Sequence, residues 1–133
     1  MPLLHISNTL DGKQLLQWYL IHGSFRKVAA YIASNGTITS HGRFPNHQTI
    51  KNNMWRYCCS HIDESFDTVS SYVISRGFSL SKEDWLTMIA WSARYAMSGK
   101  QYQIFLQKNG LGERVLKLTS GEIKYPSIGN INE

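Results

Sequence analysis

The sequence predicts a mainly α fold: one small helical domain over residues 1–125, a tail at 126–133, and a short strand or hairpin left open near the C-terminal end. Three observations predict it. Apolar residues recur at i, i+3, i+4 and i+7 through most of the chain. Runs of that pattern begin at Asp, Ser or Asn and stop at Gly, the residues that suit helix starts and ends. The 133 residues are 42% hydrophobic with seven Tyr, five Phe and four Trp, which is enough for one real core.

A first helix is expected from about Asp11 to His22, capped by Asp11 and ended by Gly23, with Leu15, Leu16, Tyr19 and Leu20 inward and Trp18 beside them. Ser24 caps a second helix, in which Phe25, Val28, Ala29, Ile32 and Ala33 follow the helical template and Gly36 is the stop. Ala29, Ala30 and Ala33 leave room for a neighbouring helix. Residues 37–45 read as a loop with Gly42 at a turn and Pro45 at the exit. Asn46 then caps a third helix. Its buried stripe is Ile50, Met54, Tyr57, Cys58 and His61; its outward stripe is Gln48, Asn52, Trp55 and Cys59, flanked by Lys51 and Arg56. A fourth helix is expected over Asp63–Arg76, with Phe66, Val69 and Val73 inward and Gly77 as its stop. A fifth starts at Ser81, with Asp84 in a capping-box position and Leu80 and Trp85 as the staple, and runs to about Ser98, where Gly99 ends it. Residues 101–110 favour a helix slightly over a hairpin arm turning at Asn109-Gly110. Arg114–Ser120 reads as a short strand.

The net charge of +5 is placed on one side. Residues 1–61 hold six Lys/Arg and one acid, Asp11; residues 62–133 hold eight of each. All five histidines (His5, His22, His41, His47, His61) lie in the first half, and no carboxylate falls between Gly12 and Ile62. Such a one-sided charge points to a polyanion partner.

The second and third helices, joined by a Gly-containing loop, form a candidate helix-turn-helix at about residues 24–61. The major groove admits one helix, and Asn or Gln can bond adenine there in bidentate fashion. Gln48 and Asn52 stand one turn apart and point the same way. His47 and the Asn46 cap sit at the helix N-terminus, which favours a phosphate. Arg26, Lys27, Arg43, Lys51 and Arg56 are placed to hold the backbone. The expected partner is duplex DNA, with no cofactor, no metal and no catalysis. A homodimer follows only from the usual need for two half-sites.

Ser24, Arg26, Val28-Ala29, Gly36, Gly42, Phe44 and Ile50 together resemble one variant of this motif, the helix-turn-helix in the DNA-binding part of serine recombinases (resolvases and invertases) and related phage proteins. The longer loop is normal for that variant. The resemblance covers about a quarter of the chain. The twenty-three residues before Ser24 are too few for the recombinase catalytic domain, so it implies DNA binding without strand exchange and a phage or mobile-element origin.

Other chemistries fit less well. Cys58-Cys59 and the scattered histidines lack the paired spacing of a zinc site, and Cys58 belongs to the buried stripe. Asp63, Glu64 and Asp67 open a helix, where the dipole favours acids. No phosphate loop, nucleophile elbow or metalloprotease motif occurs. Trp55 is expected to pack on the fourth or fifth helix rather than stack on a base, and Trp85 and Trp91 belong to the core. The N-terminus lacks a signal pattern, no stretch is long and apolar enough for a membrane span, and adjacent free cysteines suit a reducing compartment, so a cytoplasmic location is expected. The functional expectation is a non-catalytic DNA-binding protein, a regulator or a phage or mobile-element factor. The alternative is a small module that docks through residues 62–125 on a nucleic-acid enzyme; a small nuclease would need convergent carboxylates on a metal.

Overall fold

Helix boundaries follow the capping chemistry closely. The computed structural model describes residues 11–34 and 45–126. Seven helices occur among them: α1 (Gly12–His22), α2 (Phe25–Ser34), α3 (His47–Ser60), α4 (Ile62–Ser75), α5 (Lys82–Ser92), α6 (Gly99–Asn109) and α7 (Gly112–Ser120). The Asp11 carboxylate accepts from the Lys13 amide to start α1, and Gly23, at φ 87°, ends it in the left-handed conformation that glycine adopts without strain. Ser81 caps α5 by accepting from the Asp84 amide at 3.0 Å. Gly36, Gly42 and Phe44, on which the expected end of α2, the connecting loop and part of the resemblance rest, lie outside the described residues.

α3 is the centre of the molecule, packed against α1, α2, α4 and α5. Its Ile50, Met54 and Cys58 are fully buried and meet Leu15, Leu16 and Tyr19 of α1, Val28 and Ile32 of α2, Val69 and Val73 of α4, and Trp85, Met88 and Ile89 of α5 in one core. α1 approaches α3 so closely at Gly12 that any side chain there would meet the Tyr57 ring. Trp55 packs as expected, its ring 5.9 Å from that of Trp85 on α5. The Trp85 indole donates to the Ser65 hydroxyl, which is itself buried on α4. Exposed ion pairs join helices at the rim: Lys13 to Glu64 at 3.1 Å, Lys82 to Asp63, and Arg114 to Glu83. The acids that open α4 therefore also bridge to α1 and α5.

Several expectations change. The buried stripe of α3 stops before His61, because the helix ends at Ser60; His61 is exposed and stacks on Tyr57. Ala30 faces solvent, so the small-residue face of α2 is narrower than its sequence suggests. α5 ends at Ser92, not Ser98. Ser98 takes extended backbone angles and accepts from the Gln101 amide, so Gly99 opens α6 instead of closing α5. Gly110, at φ 66°, ends α6 and makes no hairpin. Arg114–Ser120 is helical, because Leu111, Val115 and Leu118 recur at helical spacing and Arg114 reaches across to Thr87 and Glu83 of α5. No strand occurs among the described residues. Nor is any described helix long and apolar enough to cross a membrane.

Candidate nucleic-acid interface

The basic side chains are set by two capped helix starts. The Ser24 hydroxyl accepts from the Lys27 amide at 3.2 Å, which begins α2 and places Arg26 and Lys27, both exposed, in its first turn. Phe25 between Ser24 and Arg26 stacks on Tyr19, ring centroids 4.3 Å apart, and ties that turn to α1. Asn46 starts α3: its side-chain oxygen accepts from the Thr49 amide at 2.8 Å. That oxygen is occupied by capping, so the Asn46 carboxamide contributes mainly by fixing the direction of the helix. His47, half-buried, is the first residue of α3.

Gln48 and Asn52 do lie together. The Gln48 amide nitrogen donates to the Asn52 side-chain oxygen at 3.2 Å, which leaves one Gln48 N–H, its carbonyl and both Asn52 N–H groups for another partner. Arg56 folds back along α3 and donates to the Asn53 side-chain oxygen at 3.0 Å. Lys51 sits half-buried beside them. The outward stripe is shorter than its sequence pattern, because Trp55 is buried and Cys59 half-buried. Among the described residues of that stripe, Gln48 is exposed and Asn52 half-buried, with exposed Arg56 on its flank. Arg43 lies outside the described residues, as do His5 and His41.

The ion pairs among the described residues leave most cations of the first half aside. Every ion pair among the described residues takes its carboxylate from Asp63, Glu64, Glu83, Glu113 or Glu122. Lys13 is the one cation of the first half that these pairs use; Arg26, Lys27, Lys51 and Arg56 have no carboxylate partner among the described residues. No group of three or more His, Cys, Asp and Glu side chains gathers in metal-binding fashion among those residues.

Gln48, Lys51, Asn52 and Trp55 form one wall of a cleft of about 290 Å³. Phe25, Trp91, Ser92, Arg94, Tyr95 and Tyr125 complete it. Trp91 is therefore only half-buried rather than part of the core. The Arg94 guanidinium lies over the Trp91 ring at 3.8 Å and over Tyr95 at 4.9 Å, and donates to the Trp91 carbonyl at 2.7 Å. Tyr125 closes one side through a 3.0 Å hydrogen bond between its hydroxyl and that of Ser92, and burial pushes its phenol above the ordinary range. Burial likewise raises the thiols of α3, Cys58 strongly and Cys59 to about 12. It also raises the Tyr57 phenol to about 12, with the nearby Glu64 carboxylate adding to the effect.

The reading of the third helix in isolation missed this second wall. The signal was present in Trp91-Ser-Ala-Arg94-Tyr95, where a cation alternates with aromatics, a composition suited to stacking. Comparison with protein-family models, curated proteins and solved structures gave no match.

Proposed function

We propose that this chain is a non-catalytic DNA-binding protein that engages duplex DNA through the first two turns of α3 and the start of α2. The observation that carries this reading is that Arg26 and Lys27 at the start of α2 and Lys51 and Arg56 on α3 have no carboxylate partner among the described residues, while five acids of the other half are drawn into ion pairs. Unpaired cations are what counterion release from a phosphate backbone requires. The N-terminal turns of a groove-inserted helix are also the part that meets base edges, and the exposed Gln48 lies in those turns of α3. In this reading Gln48 and Asn52 read bases, His47 assists, and Arg26, Lys27, Lys51 and Arg56 hold phosphates. Asn46 orients α3, and Arg43 is a further phosphate candidate. A regulator, or a factor assembling on phage or mobile-element DNA, is the role this describes.

Fluorescence anisotropy with random-sequence duplex DNA tests it. Lys51→Ala with Arg56→Ala is expected to weaken binding and to reduce the salt slope of the logarithm of affinity by about 2, close to one unit per lost contact. Absence of binding at low salt would remove the reading. It would favour the alternative, a module docking on a nucleic-acid enzyme, for which the exposed Ile74, Phe78, Ile104 and Leu116 in residues 62–125 are the support.

A further inference from the structure

The cleft beside α3 has features that a helix reading a duplex groove does not need. Tyr95 is 77% exposed although it is a large aromatic side chain, and Arg94 holds against its ring. Trp91 stands behind Arg94. Among the described residues the lining carries two cations, Lys51 and Arg94, and no carboxylate. At about 290 Å³ the cleft falls at the small end of ligand pockets, which begin near about 300 Å³, so it suits one flat group rather than an extended ligand. Gln48 and Asn52 keep amide donors and an acceptor free on its wall. Trp55, in the same lining, has a buried indole N–H with no acceptor among the described residues. The site is thus rich in donors, aromatic and positive.

We propose that this cleft takes one unpaired nucleotide of a single-stranded nucleic acid. The inference rests on the nucleic-acid reading above and adds a ligand state to it. Only an unpaired base offers both a free face and a free Watson–Crick edge. Tyr95 and Arg94 stack that base, because every base has a π-face and a guanidinium plane stacks equally well on it. The Gln48 and Asn52 carboxamides bond its edge, and Lys51 holds the adjoining phosphate. α3 then serves both strand states from one edge: its cations meet the backbone of a duplex, and its amides face a cleft that accepts a base leaving the stack.

The test compares one sequence as single strand and as duplex. The single strand carries 2-aminopurine at its centre, and binding to the full chain is followed by anisotropy and by quenching of that base. The single strand is expected to bind with 2-aminopurine quenched. Tyr95→Ala should weaken single-strand binding about tenfold or more relative to duplex binding, and should abolish the quenching. Tyr95→Phe, which keeps the ring, should retain both, and it guards against a folding defect in the alanine variant. Deoxyribose and ribose strands run side by side identify the source, the tighter of the two being the ligand. Duplex binding without single-strand binding, or a Tyr95→Ala protein with an unchanged ratio, overturns the cleft and leaves the duplex reading standing. Loss of binding to every nucleic acid overturns both.

Discussion

Gly12 shows how much one residue can decide. A Cβ placed there would stand 2.1 Å from the Tyr57 Cβ, far inside contact distance. Glycine at this point lets the start of α1 lie directly on α3. Replacing a helical glycine by alanine ordinarily stabilises by about 0.5–1 kcal/mol. Here the sign should reverse: Gly12→Ala is expected to cost about 1–3 kcal/mol through overpacking, read as a lower urea midpoint at unchanged slope. Nothing in the local sequence marks this, because Gly12 follows a good cap and reads only as a weak helix former. The bond from Trp85 to Ser65 is equally hidden, since it joins residues 20 apart on two helices. By contrast Leu15, Leu16, Tyr19 and Leu20 are buried as their spacing requires. Periodicity reveals which face is apolar; it does not reveal which neighbour comes close.

Among elements, the starts were more legible than the ends. Asp11, Ser24, Asn46 and Ser81 all cap as their residue types suggest, since a cap is a local bond between a side chain and an amide two or three residues on. Ser98 is the same signal, with Gln101 completing the pattern, but it was masked by a helical apolar run that continued through Ala96. Arg114–Ser120 misled for a related reason: Val115 and Thr119 favour strands on their own, and tertiary contact with α5 prevails. The Asn46 cap carries the most functional weight, because it fixes where α3 begins. Asn46→Ala should cost about 0.5–2 kcal/mol of stability, measurable by chemical denaturation. Asn46→Asp, which can still accept from the Thr49 amide, should recover that stability.

On the scale of the whole molecule, the charge division in the sequence survives folding. Five acids of the charge-balanced second half pair with Lys82, Arg114, Lys117 and Lys13, while Arg26, Lys27, Lys51 and Arg56 have no carboxylate partner among the described residues. That much of the candidate site was legible, because charge sums need no geometry. The cleft was not, since its walls come from Phe25 of α2, from α3, from the end of α5 and the turn after it, and from Tyr125, and only the packing of the helices brings them together. Burial also gives the molecule a direction of pH sensitivity. Tyr57 and Cys59 ionise in an unfolded chain near their ordinary values of 10.0 and 9.0, but only near about 12 when folded. Through that window the folded state binds more protons than the unfolded one, so stability should fall as pH rises, and should be fully present below about 9. Urea midpoints taken from about pH 8 to about pH 11 will show the decline, and Tyr57→Phe should flatten part of it.

The vicinal thiols also supply a clock. Cys58 is sealed in the central helix and Cys59 is half-covered, and both are held protonated by their surroundings. Only a thiolate reacts with an alkylating reagent, so Cys58 modification in the native protein must wait for α3 to separate from its neighbours. Its labelling rate by such a reagent therefore times the opening of the core at a native residue, without an engineered label. Any nucleic acid that grips α3 must slow that clock in proportion to its affinity for the closed form.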